Sequence, residues 1–343
     1  MALEIAIHRF GGPEVLEPRQ VPDSAPRPGE LRIRHTAIGV NFTDVHGRRG
    51  DYAPLRAMPM PLVLGMEAAG MVEAVGEGVE RFRAGDRVAY ASAPLGAYRD
   101  VRNFPAKRCV ALPSHVSDRD AASVLLKGLT VQTLVRRVFR VEAGAWVLFH
   151  SAAGGVGTLA GQWLRALGAR AIGVVGSESK VAAARAAGYE AVFVRGRDDW
   201  PARVRELSGG GVAAVYDAVG RDTWEGSLAC LAGRGYMVCF GNSSGLVPPV
   251  SVNELRDRGS LRLTWVRFSD YTASPAELQA AAQELFDAIG SGALQPPAAH
   301  CLPLEQAAEA HRLLESGRTT GPLVLLPYSG ISTSSSGACC CAP

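Results

Sequence analysis

Five short apolar runs, at residues 146–149, 171–175, 191–194, 214–217 and 236–241, punctuate the middle of this chain. Each has strand length and lacks polar alternation, the pattern of strands buried on both faces. After the first run, Val156, Leu159, Ala160, Trp163, Leu164 and Leu167 recur at the spacing of one helical face. Helix-compatible stretches separate the remaining runs as well, so the pattern predicts an α/β fold, a Rossmann-type doubly wound parallel sheet. Ligands bind such sheets beyond the carboxyl ends of the strands.

The first 125 residues have a different texture. Runs at 31–34, 70–75 and 87–90 alternate apolar with polar positions, and Gly or Pro marks turns at 27–29, 76–78 and 84–87. An irregular β domain is expected there. Ser117 is placed to cap a helix from Asp118, with a second helical element over 128–138. Later, Ser274 before Pro275 opens a helix expected to reach Ile289. A further helix after Pro303 and the apolar run 323–326 read as a return to the first domain. The expected organisation is a β domain over 1–125, a nucleotide-type domain inserted at 126–264, a return over 265–327, and a tail. That tail, 328–343, is rich in Ser and Cys, has no core-forming pattern and is expected to be disordered.

Chemistry enters at the turn after the first run, where residues 150–157 read His-Ser-Ala-Ala-Gly-Gly-Val-Gly. Gly154 lets the backbone approach phosphate oxygens and Gly157 lets the helix pack closely on the strand. The helix N-terminus adds unpaired N–H groups at the positive end of a dipole. Ala152 takes the place of the usual first glycine, yet strand, turn and helix follow in the order a dinucleotide pyrophosphate requires. At the end of the second run stands Val175, not the acidic residue that accepts hydrogen bonds from the adenosine ribose of NAD. Gly176, Ser177 and Lys180 follow, and Arg195 comes after the third run. With no carboxylate at that position to repel it, a 2′-phosphate would meet a hydroxyl and two cations. NADPH is therefore the expected cofactor.

Length and charge narrow the classes further. A chain of 343 residues is long for one core, which supports two domains. A net charge of +3 without a basic stripe argues against a nucleic-acid partner. No apolar segment reaches membrane-spanning length and residues 1–10 lack a signal-peptide core, so a cytoplasmic protein is expected. Cys109, Cys230, Cys239 and Cys301 are far apart without C-x-x-C spacing, and neither a zinc knuckle nor a disulfide framework is expected.

Several segments are more specific: 8–16 (HRFGGPEVL), 39–44 (GVNFTD), 61–70 (PLVLGMEAAG), 84–88 (AGDRV), 127–130 (KGLT), 152–157 (AAGGVG), 216–225 (YDAVGRDTWE) and 240–245 (FGNSSG). Through them the chain resembles, over residues 1–327, the zinc-independent medium-chain dehydrogenases/reductases of the quinone oxidoreductase (zeta-crystallin-like) family. The resemblance implies a GroES-like β domain carrying the inserted Rossmann domain, a homodimer, and reduction of a quinone or other electron-poor carbonyl acceptor by NADPH without metal or flavin. Zinc-dependent relatives place a Cys and a His where this chain has Asn41 and Met66. Amide and thioether are poor zinc ligands, so no metal is expected and Glu67 is expected to serve structure.

By the same resemblance, Asn41 and Phe42 line the nicotinamide side, and Thr130, Gly154, Gly155 and Val156 the pyrophosphate. Gly176, Ser177 and Lys180 take the adenosine phosphate; Arg195 stands where similar proteins commonly have a Tyr, and Arg318 is expected to substitute for the basic residue they carry near Gly317. Phe240, Gly241, Asn242 and Ser243 take the nicotinamide ribose and carboxamide. His46, where similar proteins have Tyr, together with Tyr52 and Lys127, are the candidates for bonding a quinone oxygen or delivering its proton. Two other functions fit the same residues: reduction of an enoyl or alkenal double bond, and a low-turnover NADPH-binding structural or nucleic-acid-associated role. The apolar run 261–266 reads either as an internal strand or as an edge for pairing between subunits.

Overall fold

The computed structural model describes residues 1–51, 53–317, 319 and 321–327. Tyr52, Arg318 and the 328–343 tail, which carry expectations above, lie outside the described residues. The chain divides into two compact units, Leu112–Ala298 and the combination of Met1–Ala111 with the chain from Ala299 onward.

In the unit Leu112–Ala298, the five expected strands are present as Trp146–His150, Arg170–Val175, Ala191–Val194, Val212–Asp217 and Leu231–Cys239. A sixth, Arg262–Trp265, pairs with the fifth, and all neighbouring pairs are parallel. Counted along the chain, the spatial order is third, second, first, fourth, fifth, sixth. The order reverses between the first and fourth strands, the switch point at which such sheets open a ligand crevice. Leu148, Ile172, Val215 and Met237 are fully buried in the middle of the sheet, which is why these runs carry no polar alternation. The run 261–266 is thus an edge strand of this sheet, with one side unpaired among the described residues.

The boundaries fall at 111/112 and 298/299, not near 125 and 264. The cause is helix packing. Helix Asp118–Gln132 rests on helix Gly155–Ala166 and on helix Pro275–Gly290, so closely that a Cβ on Gly128 would stand 2.6 Å from a Leu285 methyl. Both helices therefore belong to the parallel-sheet unit. Gly128 serves that contact and does not start a second element; the helix runs through it to Gln132 and widens into a π-type turn over Thr133–Val138. Its N-cap is as expected, with Ser117 Oγ accepting from Asp120 N–H at 3.0 Å.

In the other unit, the long strand Glu30–Val40 is central. It pairs antiparallel with Glu67–Val75, Val101–Pro105 and Leu323–Leu326. His300–Pro303 lies parallel to Leu323–Leu326, so the C-terminal run does return to this sheet. A smaller sheet places Ala2–Ile7 between Glu17–Val21 and Leu62–Val63. Helix Phe42–Arg49 leaves directly from the end of the central strand.

Candidate active site

Strand Trp146–His150 ends at the switch point, and Ser151 then adopts a left-handed backbone with φ 56°, rare for a residue with a Cβ. The turn closes through Gly154 N–H to Ser151 O at 2.8 Å, and Gly154 becomes the N-cap of helix Gly155–Ala166. A Cβ on Gly157 would overlap the Ser151 carbonyl oxygen and stand 2.7 Å from that of Ala152. Only glycine lets the helix sit so close. The first bond along the helix runs from Thr158 N–H to Gly154 O at 2.8 Å, leaving the N–H groups of Gly155, Val156 and Gly157 without an intrahelical acceptor. These donors, with the helix dipole behind them, form a cradle that fits a pyrophosphate.

Lys127 lies against this turn: its Cδ and Cε are 3.0 Å from where a Gly155 Cβ would be, and its Nζ donates to Ser123 O at 3.1 Å. Thr130, one turn on, donates its hydroxyl to Leu126 O at 2.8 Å. Within this unit, Lys127 is thus brought together with the phosphate cradle.

At the end of the second strand, Val175 is buried, Gly176 is exposed and Ser177 Oγ lies 2.9 Å from Ser179 Oγ. Lys180 is exposed. Glu178, the one acid here, is engaged by Arg197, whose guanidinium also holds Asp198 at 2.9 and 3.0 Å. Arg195 N–H donates to Val175 O at 2.9 Å, and its Nη1 is buried without a hydrogen-bond partner. A buried guanidinium nitrogen left open costs energy unless something anionic arrives, and Glu178 is partly offset by Arg197, which it shares with Asp198.

The loop 240–245 is set by Asp217, a residue the motif reading did not single out. Asp217 is 1% exposed. Its Oδ1 accepts from Val219 and Gly220 N–H at 2.7 and 3.0 Å, and its Oδ2 from Thr223 and Ser227 hydroxyls at 2.7 and 2.8 Å. Burial alone would raise its pKa; facing His150 and these four donors hold it below the usual carboxylate range instead. The turn so fixed then accepts from the loop, with Ser243 N–H to Ala218 O at 3.1 Å and Ser244 N–H to Val219 O at 2.8 Å. Phe240, Gly241, Asn242 and Ser243 therefore hang from one buried carboxylate. Since the Ser227 hydrogen goes to Asp217, His150 Nε2 must donate to Ser227 Oγ at 2.9 Å. Burial, with Arg195 adding to it, pushes the His150 pKa down.

In the unit containing the central strand Glu30–Val40, Asn41 is buried and donates its side-chain amide to Glu67 Oε2 at 2.7 Å. Its backbone N–H donates to Asp44 Oδ2 at 2.9 Å, which fixes the start of helix Phe42–Arg49. Phe42, at the first helical position, is 54% exposed. A large aromatic ring held out on a rigid helix start suits contact with a flat ligand. His46, on the same helix, has Nδ1 2.7 Å from Asp51 Oδ2, an arrangement that orients a histidine. Among the described residues no cluster of three or more His, Cys, Asp or Glu could hold a metal ion.

Comparison with known proteins follows the same division. Residues 27–114 match the alcohol dehydrogenase GroES-like domain, and residues 155–287 the zinc-binding dehydrogenase family. Quinone oxidoreductase 1 of Escherichia coli (strain K12) is 44% identical over 95% of this chain and 100% of its own length. The 2-haloacrylate reductase of a Burkholderia species is 40% identical over 96% of this chain and 100% of its own. The crystal structure of Escherichia coli quinone oxidoreductase complexed with NADPH superposes with a TM-score of 0.90 at 44% identity, covering 95% of this chain and 100% of that one.

Proposed function

This chain belongs to the zinc-independent quinone oxidoreductase family of medium-chain dehydrogenases/reductases, and from that premise we propose that it reduces quinones with NADPH. The observation that carries the reading is the cradle at Gly154–Gly157, where only glycine fits at position 157 and three helix N–H groups stand open. NADPH supplies a hydride at its nicotinamide ring when bound. Gly154, Gly155 and Val156 hold the pyrophosphate, with Lys127 beside them and Thr130 one turn away. Gly176, Ser177, Lys180 and Arg195 receive the 2′-phosphate, and Arg197 reduces the repulsion that Glu178 would exert. Phe240, Gly241, Asn242 and Ser243, anchored by Asp217, take the nicotinamide end. Asn41 and Phe42 are assigned, by the resemblance, to the nicotinamide side. A quinone becoming a quinol also takes up a proton, and His46, oriented by Asp51, is the group we assign to bonding the acceptor oxygen, with Tyr52 as its companion. Asn41 is bonded to Glu67 through an amide, so the reading gives catalysis no metal. A cytosolic place of action fits Cys109, Cys230, Cys239 and Cys301, none of which is joined in a disulfide.

A panel of acceptors with NADPH and NADH tests the proposal. Simple quinones are expected to accelerate NADPH oxidation without added metal or flavin; turnover with 2-haloacrylates or alkenals and none with quinones would favour double-bond reduction instead. In the same assay Lys180→Glu is expected to lower kcat/KM for NADPH about ten- to a hundredfold, the worth of one charge-assisted phosphate contact. NADH should be little affected. An unchanged NADPH/NADH ratio would remove Lys180 from the phosphate site.

The edge strand Arg262–Trp265 supports a homodimer. Trp265 is 51% exposed and Leu263 37%, with Leu246 and Val252 more exposed still. An open edge bearing large apolar side chains invites pairing with a second copy. Light scattering is expected to give the mass of two chains, and Trp265→Glu to shift it toward one.

A further inference from the structure

Helix Phe42–Arg49 is tied into its unit by a chain of buried polar groups that the proposed reaction does not use. Arg48 is 1% exposed. Its guanidinium donates to Glu315 through both terminal nitrogens, at 3.0 and 2.8 Å, and to Gly11 O through Nε at 3.1 Å. Arg48 Nη1 also lies 3.3 Å from His311 Nδ1. Arginine can only donate, so Nδ1 carries the lone pair and His311 bears its hydrogen on Nε2. That nitrogen is 2.9 Å from Tyr98 Oη and must donate to it. Tyr98 in turn donates to Asp44 Oδ2 at 3.1 Å, the same oxygen that receives the Asn41 backbone N–H.

Every direction in this chain agrees with the protonation states the site imposes. Burial first, and then the Arg48 charge, push the His311 pKa down to about 3. Burial and the Asp44 carboxylate push that of Tyr98 well up, so its proton stays available to donate. The links join loop residue Gly11, helix Phe42–Arg49, Tyr98 and helix Ala307–Ser316, four segments far apart in sequence. They converge on the oxygen that sets the start of the helix bearing Asn41, Phe42 and His46.

We propose that Tyr98 and His311 are positioning residues that hold Asp44, and through it the Asn41–Phe42 helix start, in the geometry needed on the nicotinamide side for hydride transfer. They touch neither cofactor nor acceptor; they act through Asp44. The inference rests on the reading of Asn41 and Phe42 as nicotinamide-side residues. Its structural half, that the chain rigidifies the helix start, stands apart from that reading.

Three variants test it. Tyr98→Phe deletes one hydroxyl without changing the ring, and His311→Gln offers an amide donor toward Tyr98 and a carbonyl toward Arg48, whereas His311→Leu offers neither. Hydrogen exchange on the cofactor-free protein is expected to show faster exchange at residues 41–49 in Tyr98→Phe and His311→Leu. His311→Gln should stay close to wild type. In steady-state assays Tyr98→Phe and His311→Leu should lose about tenfold in kcat with a quinone, the size of effect a small misplacement causes, while KM for NADPH stays within about twofold. Gln should restore most of the loss. Unchanged exchange at 41–49 in Tyr98→Phe overturns the proposal. So does an unchanged kcat, or a loss shared equally with NADPH binding, when the wild type turns quinones over. Should the wild type reduce no quinone, the functional reading fails and the exchange measurement alone decides whether these residues position the helix.

Discussion

Gly157→Ala is expected to weaken NADPH binding by about a hundredfold or more, as measured by fluorescence titration. The added methyl would meet the carbonyl oxygens of Ser151 and Ala152, backbone atoms that cannot swing aside as a side chain can. Either the helix lifts from the turn or the turn opens. In both cases the N–H groups of Gly155, Val156 and Gly157 lose their common focus, and charge-assisted bonds to phosphate are worth about 1.5–3 kcal/mol each. Gly155→Ala supplies the contrast. There the methyl would meet only Lys127 Cδ and Cε at 3.0 Å, the flexible part of a long side chain, so the fold and its melting temperature should be retained. If Gly157→Ala binds NADPH as tightly as wild type, the cradle is not the cofactor site, whatever the fold resembles.

The same turn shows why part of this site is legible in sequence and part is not. Apolar runs without alternation suffice to place five parallel strands, because strands buried on both faces leave no other pattern. The glycines at 154 and 157 are legible because their reasons are local. The compensation for Ala152 is not local. A Cβ on Gly173 would stand 2.7 Å from the Ala152 Cβ, so the methyl that replaces the usual first glycine is accepted by removing one from the neighbouring strand, twenty-one residues later in sequence. Asp217 and Arg197 are not legible in sequence for a related reason. An acid at a strand end and an arginine in a loop are common, and only the folded chain shows that one anchors the 240–245 loop while the other pairs with Glu178. The domain boundary was misplaced because Gly128 looks like a helix breaker until Leu285 is seen packed over it.

Acid should unfold the unit built on the central strand Glu30–Val40, and two buried histidines should set the steepness. Burial pushes the His35 pKa down to about 3, and His311 likewise. His35 donates from Nδ1 to Arg99 O at 2.7 Å and accepts at Nε2 from Tyr90 at 3.0 Å, with Arg102 also bonded to that hydroxyl. A second proton on either ring would be buried beside guanidinium groups. In the unfolded chain both histidines protonate near pH 6.5, so below that pH the unfolded state binds more protons. Stability is therefore complete above about pH 6.5 and falls as pH drops toward 3, by about 1.4 kcal/mol per pH unit for each residue. Two such groups remove about 5 kcal/mol by pH 4.5, as much as many domains possess. All five tryptophans lie in the other unit, so tryptophan fluorescence and hydrogen exchange at residues 30–40 report the two units separately. Urea titrations at several pH values should show the slope for the Glu30–Val40 unit falling by about one proton in His311→Gln and by about two when His35→Asn is added. A slope that survives both replacements would mean that carboxylates, not these imidazoles, govern the acid transition.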